Sequence, residues 1–271
     1  MSAEHVALVT GGGGGIGAVV CSELGRMGAF VLVAGRDQQG CTRVADEVRA
    51  AGGAGAPLLL DVTDPASIAT ALQDASRLAG PPDWLVNNAG IAVSAPLVAR
   101  PADSPVDQYE THMDVNFHGA RRVFEAVLPA MLERGYGRVV QVASSAALQG
   151  YAYVAAYAAS KHALLGYSRA AALELQRKGV AVNAVCPHFV DSPMTDESVA
   201  RIVRETGRSE AAARAFLAEQ NPSGELVTTA EVAYAISELL ATDMTGSIIE
   251  LVGGGGRREV EAGWPLGEAR G

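Results

Sequence analysis

The 271-residue sequence carries 30 acidic and 21 basic side chains, a formal net charge of −9, and no long basic block. It therefore lacks the positive footprint that a DNA or RNA backbone requires. With 49% hydrophobic residues it can bury a large core as one α/β domain. The first residues lack a signal-peptide core, and no apolar run is long enough to span a bilayer. Three scattered cysteines, Cys21, Cys41 and Cys186, have no metal-ligand spacing. The expectation is a cytoplasmic protein with reduced, buried thiols and no metal.

In chain order, Val6-Ala7-Leu8-Val9 predicts a buried strand over 5–9, followed by the turn Thr10-Gly11-Gly12-Gly13-Gly14-Gly15-Ile16-Gly17 and a helix over 16–27. A strand, a glycine-rich turn and a helix start are the physical parts of a dinucleotide site. Glycine lets the backbone approach a pyrophosphate, and the free amides of the helix start receive its charge. Further strands are predicted over 29–34, 57–60, 83–86, 137–143, 180–185 and 247–251, and helices over 39–51, 65–78, 107–132, 154–177 and 229–241. The strand candidates are mostly continuous Val, Leu, Ile and Ala runs, as strands covered on both faces require. The expected fold is a doubly wound parallel sheet in a single domain over 1–256. Residues 191–226 form a polar helical insert between the sixth and seventh strands, a candidate lid that closes with Met194, Phe216 and Leu217 as specificity residues. Residues 257–271, rich in charge, Gly and Pro, predict a C-terminal tail.

Tyr157 and Lys161 stand four residues apart on the helix over 154–177, so they share a face. A phenol has a reference pKa of roughly 10, and a fixed cation beside it favours the phenolate, which makes a usable acid or base. Ser144 and Ser145 close the apolar run Val139-Val140-Gln141-Val142, where a strand-end hydroxyl can reach the same point.

The motifs Thr10-Gly11-x-x-x-Gly15-Ile16-Gly17, Asp61-Val62, Asn87-Asn88-Ala89-Gly90, Asn116, Ser144, Tyr157-x-x-x-Lys161 and Pro187 occur in this order. On them the chain resembles the short-chain dehydrogenase/reductase family over residues 4–256, with its Rossmann fold. The resemblance implies that Tyr157 is the proton donor or acceptor and Ser144 holds the substrate oxygen. Lys161 would bind the nicotinamide ribose and depress the Tyr157 pKa. Asn116 would kink its helix and anchor a water linking Lys161 to solvent. Gly11, Gly15, Ile16 and Gly17 would cradle the pyrophosphate, Asp61 and Val62 the adenine, and Asn87, Ala89 and Gly90 the ribose side. Val190 and Ser192 would bracket the carboxamide. Where the family usually has glycine after Pro187, this chain has His188, either a substrate contact or a tolerated loop residue.

The second strand ends Val33-Ala34-Gly35-Arg36-Asp37. Where NAD-dependent members place an acidic residue stands Gly35, and Arg36 can meet a 2′-phosphate with several donors. NADP is expected over NAD, with Asp37 as the counterargument. The walls Ala92–Leu97 and Leu148–Val154 are apolar or aromatic, with Tyr151 and Tyr153 as amphipathic surfaces. The texture of Glu133-Arg134-Gly135, Ser160-Lys161-His162 and Asn183–Pro187 resembles aromatic-polyketide ketoreductases. Asn221-Pro222-Ser223 with Val227-Thr228 resembles 3-hydroxybutyrate and hydroxyacyl-thioester dehydrogenases. The implied reaction is reduction of a 3-oxoacyl-type or related hydrophobic ketone, with secondary-alcohol or 3-hydroxyacyl oxidation by NAD as the alternative. A cofactor-binding regulator is the competing class, and the full set of Asn116, Ser144, Tyr157 and Lys161 argues against it. The helices over 107–132 and 154–177 carry Phe117, Phe124, Val127, Leu164, Leu165, Tyr167 and Leu173 beyond one stripe. The expectation is a homodimer or homotetramer.

Overall fold

The computed structural model of the protein describes residues 4–97 and 108–267. The strands are β1 (Val6–Thr10), β2 (Phe30–Gly35), β3 (Ala54–Leu59), β4 (Trp84–Asn87), β5 (Gly137–Val142), β6 (Val180–Pro187), β7 (Met244–Thr245), β8 (Ile248–Gly253), β9 (Gly256–Glu261) and β10 (Trp264–Pro265). The helices are α1 (Gly15–Arg26), α2 (Gln38–Ala50), α3 (Pro65–Leu78), α4 (Gln108–His112), α5 (Ala120–Arg134), α6 (Ala155–Leu175), α7 (Pro193–Thr206), α8 (Glu210–Ala218) and α9 (Thr229–Leu240). An eight-stranded sheet runs in the order β3-β2-β1-β4-β5-β6-β8-β9, and β10 pairs with β7. Every neighbouring pair in the sheet is parallel except β8 with β9. This is the doubly wound sheet expected, with α7 and α8 as the helical insert.

The continuous apolar runs make physical sense in β1. Ala7 and Val9 enter the core beneath α1, α2 and α9, while Val6 and Leu8 enter the core beneath α3, α5 and α6. Each residue of the strand is buried on one face or the other, so no polar alternation survives. Most element ends agree with expectation to within one or two residues. The third strand begins earlier, at Ala54, because Ala54-Gly55-Ala56 is too small to give an apolar signal. It is the outer strand of the sheet, where Pro57 is tolerated.

The helix expected over 107–132, whose residue 107 lies outside the described residues, is broken in its middle. Met113–Gly119 forms a π-helical segment between α4 and α5. Such segments are uncommon and gather at functional sites, and Asn116 lies within this one.

The expected tail is corrected as far as Gly267; residues 268–271 lie outside the described residues. Arg257–Glu261 belong to β9, which turns back on β8 through Gly253, Gly254 and Gly255, all with positive φ. Its charges, which suggested a tail, pair with the body instead. Arg257 bonds Glu238, Arg258 lies 3.7 Å from Glu250, and Glu261 accepts from Arg169 at 2.6 Å. Trp264 then donates to Gln176 at 2.7 Å. Among the described residues no helix is long and apolar enough to cross a membrane.

Candidate active site

The sheet order reverses direction at β1 and β4, and open α/β sheets place ligands at such a point, beyond the strand ends. There β1 runs into the glycine-rich turn, and α1 begins without a side-chain cap, which leaves its first amides available. The turn is crowded. Gly11 has φ +66°, and a Cβ on Gly17 would stand 2.2 Å from the Gly11 carbonyl oxygen. Thr10 Oγ1 accepts from the amides of Asn88 and Ala89 at 3.0 and 3.1 Å, and Asn88 Nδ2 donates to the Thr10 and Gly11 carbonyls at 3.0 and 3.2 Å. The turn and the end of β4 are thereby one braced unit.

Beside it lies a cavity of ≈ 150 Å³ lined by Gly11, Arg36, Asp61, Val62, Ala89 and Gly90 among others. All six are residues expected to hold a dinucleotide, and the uncapped amides at the start of α1 fit its phosphates. Asp61 Oδ1 accepts from the Thr63 amide and hydroxyl at 2.9 and 2.7 Å. Those bonds hold its carboxyl below the usual range, with Arg36 adding attraction. Asp37, the residue that weighed against NADP, caps α2 by accepting from the Gln39 amide at 3.1 Å. Arg43 on α2 donates to the Gly13 carbonyl at 3.0 Å, bringing a second cation to the turn. Sequence reading missed it, because only the packing of α2 against the turn joins the two. Asn87 is brought to the strand end, where its Nδ2 donates to the Ala120 carbonyl at 2.9 Å and its Oδ1 is buried without a hydrogen-bond partner.

The second half of the site gathers on β5, the π segment and α6. Ser144 follows β5, and its Oγ accepts from the Ala146 amide at 3.1 Å, capping a short 3₁₀ turn. Asn116 is fully buried; its Oδ1 accepts from the Ile91 amide at 2.8 Å, and its Nδ2 donates to the Ile91 carbonyl and to Ser160 Oγ, each at 3.0 Å. Lys161 is buried and donates to the Val142 carbonyl at 2.8 Å. A Cβ placed on Gly90 would meet both Asn116 Oδ1, at 3.1 Å, and Lys161 Nζ, at 3.6 Å. Ser144, Tyr157, Lys161 and Asn116 are thus brought together next to the cofactor cleft. His112 joins them unannounced: it packs edge-on against Tyr157 with centroids 6.2 Å apart, and its Nε2 accepts from the Val93 amide at 3.0 Å.

Burial sets the direction in which the pKa values of Tyr157 and Lys161 move. Lys161 Nζ lies 5.8 Å from the centre of the Tyr157 ring. Burial raises the phenol above its ordinary pKa, and the hydrogen bond with Ser144 only partly opposes this. Burial also lowers the ammonium of Lys161 to about 8. Desolvation disfavours the charged form of each group, so the phenol keeps its proton at neutral pH.

At the base of the insert, Val190 is buried and pairs with Val227, and Ser192 precedes α7. Pro193 Cδ would lie 3.6 Å from a Cβ on Gly15, which sets the start of α7 over the glycine turn. α7 and α8 share a small core of Val199, Ala213 and Leu217. Leu217, expected to meet substrate, is consumed there, while Met194 and Phe216 stay exposed. His188 is neither at the rim nor loose in a loop, because its imidazole is buried against Glu250.

Comparison with known proteins agrees with this geometry. The family model described as short chain dehydrogenase matches residues 5–202. The 3-oxoacyl-(acyl-carrier-protein) reductase FabG of Pseudomonas aeruginosa is 35% identical over 92% of this chain and 96% of its own length. Among solved structures, a variant of actinorhodin polyketide ketoreductase with NADPH superposes with a TM-score of 0.85 at 34% identity, covering 94% of this chain and 98% of that one. Levodione reductase gives a TM-score of 0.84 at 26% identity, with the same coverage. With its glycine turn, its buried lysine and its serine and tyrosine beside one cleft, this chain belongs to the short-chain dehydrogenase family as an NAD(P)-dependent oxidoreductase acting on ketones or alcohols.

Proposed function

We propose that the protein is an NADPH-dependent ketoreductase whose substrate is a 3-oxoacyl-type or related hydrophobic ketone. The observation that carries the reading is the convergence of Ser144, Tyr157, Lys161 and Asn116 beside a cleft that holds Arg36. Relatives named as 3-oxoacyl and polyketide ketoreductases, one of them with NADPH, support the substrate class and the cofactor. When bound, the nicotinamide supplies a hydride to the carbonyl carbon. Ser144 and Tyr157 then donate hydrogen bonds to the carbonyl oxygen as its negative charge grows, and Tyr157 completes it with a proton. Lys161 binds the nicotinamide ribose and stabilises the phenolate left behind. Asn116 keeps Ile91 and Ser160 in register with Tyr157, whose own carbonyl accepts from Ser160 at 2.7 Å. Turnover of β-oxo thioesters, cyclic ketones or aromatic ketones with NADPH tests the reading. Failure on all three, with their alcohols also inert, overturns it.

Arg36 provides the cofactor test. Charge-assisted hydrogen bonds contribute about 1.5–3 kcal/mol, so Arg36→Ala is expected to raise KM for NADPH on the order of ten- to a hundredfold and to leave KM for NADH near its starting value. An equal change for both cofactors would remove the 2′-phosphate role.

The insert serves as the lid, hinged where Asp191 and Val227 exchange backbone hydrogen bonds with the opposite limb, and steadied by Arg201 donating to the Ser94 carbonyl at 3.1 Å. Cofactor and a ketone together are expected to slow proteolysis within 191–226; equal cutting rates with and without them would indicate a fixed hairpin.

The protein acts in the cytoplasm as a homodimer. Phe124, Val127, Leu164 and Leu165 are consumed in the chain's own core, but Leu132 on α5 and Leu173 on α6 remain exposed for a partner. The outer edge of the sheet carries Arg257, Arg258 and Glu259, charges that disfavour edge pairing and so a tetramer built through it.

A further inference from the structure

Directly after β6, where Pro187 is followed by histidine, a polar chain runs through the interior towards the turn that carries Ser144. His188 Nε2 lies 2.8 Å from Glu250 Oε1, with the two side chains 2% and 13% exposed. Its Nδ1 lies 3.3 Å from Tyr151 Oη. Tyr151 Oη is in turn 2.9 Å from Ser145 Oγ and 2.7 Å from Gln149 Nε2. Arg258 on β9 stands 3.7 Å from the other oxygen of Glu250 and supports its charge.

With Glu250 ionised and the imidazole neutral, one proton arrangement satisfies every member. An ionised carboxylate has no proton to give, so Nε2 carries the hydrogen and donates it to Glu250. The neutral ring then offers Nδ1 as an acceptor, and its neighbour Tyr151 has one proton to donate. With that proton committed to His188, Tyr151 Oη accepts from Gln149 Nε2 and from the Ser145 hydroxyl. Were Tyr151 to donate to Ser145 instead, the buried Nδ1 would lose its donor, an unfavourable outcome for a buried polar atom.

We propose that Glu250, His188 and Tyr151 are positioning residues that set the turn bearing Ser144. The phenol ties the end of β6 to Ser145, and Ser144 caps the same turn through the Ala146 amide. Tyr151 is steadied from its other side by Phe189, edge-on at 6.4 Å. The turn is therefore fixed at two successive residues, which holds the Ser144 hydroxyl at one place relative to Tyr157. A small displacement of such a donor lowers the rate without altering cofactor affinity. The proposal rests on the ketoreductase reading for its kinetic consequence and on hydrogen bonding alone for its structural one.

The test uses the full-length protein and two kinds of readout. Tyr151→Phe and His188→Ala are each expected to lower kcat about tenfold, equivalent to about 1.4 kcal/mol, with KM for the ketone and Kd for NADPH within about twofold. His188→Gln, whose amide can donate to Glu250 and accept from Tyr151, is expected to recover most of the loss. The Tyr151→Phe/His188→Ala double variant should fall little below either single one, because both break the same chain. Losses that multiply, or single variants that lower only thermal stability while kcat is unchanged, would overturn the proposal. Nitrogen-15 histidine spectra need no substrate. They should show His188 with a protonated Nε2 and an accepting Nδ1 that shifts in Tyr151→Phe. A ring protonated on Nδ1 alone would refute the chain even in an active enzyme, whereas a protein inert to every ketone but with the expected spectrum would refute only the ketoreductase reading.

Discussion

Tyr157→Phe is expected to lower kcat on the order of 10²–10⁴-fold, the usual range for loss of a positioned acid or base, while Kd for NADPH stays near the wild-type value. The substitution removes one oxygen and leaves the ring, so its edge-on contact with His112 and the course of α6 persist. Ser144 keeps its bond to the Ala146 amide, so a carbonyl oxygen would still find one hydroxyl, but no proton would follow. Stopped-flow or steady-state rates with NADPH and a ketone, paired with a fluorescence titration of the cofactor, separate the two quantities. Turnover that survives the change would end the proposed mechanism. The pH dependence has a definite sign. Burial raises the Tyr157 pKa, so the phenol that reduction requires is retained through neutral pH. Alcohol oxidation needs the phenolate, so its rate should climb with pH into the alkaline range while reduction stays level around neutrality. An oxidation rate that is flat between neutral and alkaline pH would contradict the assignment of Tyr157 as the base.

What could be read from the residues follows from how local each signal is. Tyr157 and Lys161 were legible because helical spacing alone puts them on one face, and the glycine turn because a buried strand and a helix flank it. The direction of the Tyr157 shift was not, since it depends on how completely β5, β6 and α6 exclude water. Arg43 and His112 were also out of reach, because neither lies in a local motif and only folding brings α2 to Gly13 and α4 to Tyr157. Asn87 was readable as a strand-end residue, but its side-chain direction follows from the pleat of β4 beneath α5. β9 was hidden by composition. An edge strand that must resist pairing is written in charges, and Arg257-Arg258-Glu259 therefore has the texture of a tail. His188 stood out as a departure, yet its meaning depends on Glu250, 62 residues away on the neighbouring strand β8.

Gly17→Ala is expected to remove cofactor binding and to destabilise the cofactor-free protein, and the two effects have one cause. The added Cβ would stand 2.2 Å from the Gly11 carbonyl oxygen and 2.8 Å from Asn88 Nδ2. The first of these is backbone and cannot rotate aside, so the turn must move away from α1. Overpacking of this kind costs about 1–3 kcal/mol, measurable as a lower midpoint in urea. Movement of Gly11 also strains its bond with Asn88, and through Thr10 the ends of β1 and β4 shift together. The amides at the start of α1 and the wall formed by Ala89 and Gly90 then no longer face the same cavity, so affinity for NADPH should fall by about a hundredfold or more, as loss of several charge-assisted bonds implies. Gly14→Ala separates the causes. Gly14 has φ −173°, and nothing lies within 4 Å of a Cβ there, so the cofactor-free protein should keep its urea midpoint. Should Gly17→Ala bind NADPH like the wild type, or should Gly14→Ala destabilise the protein equally, the turn would be a flexible segment rather than the rigid cradle its contacts describe.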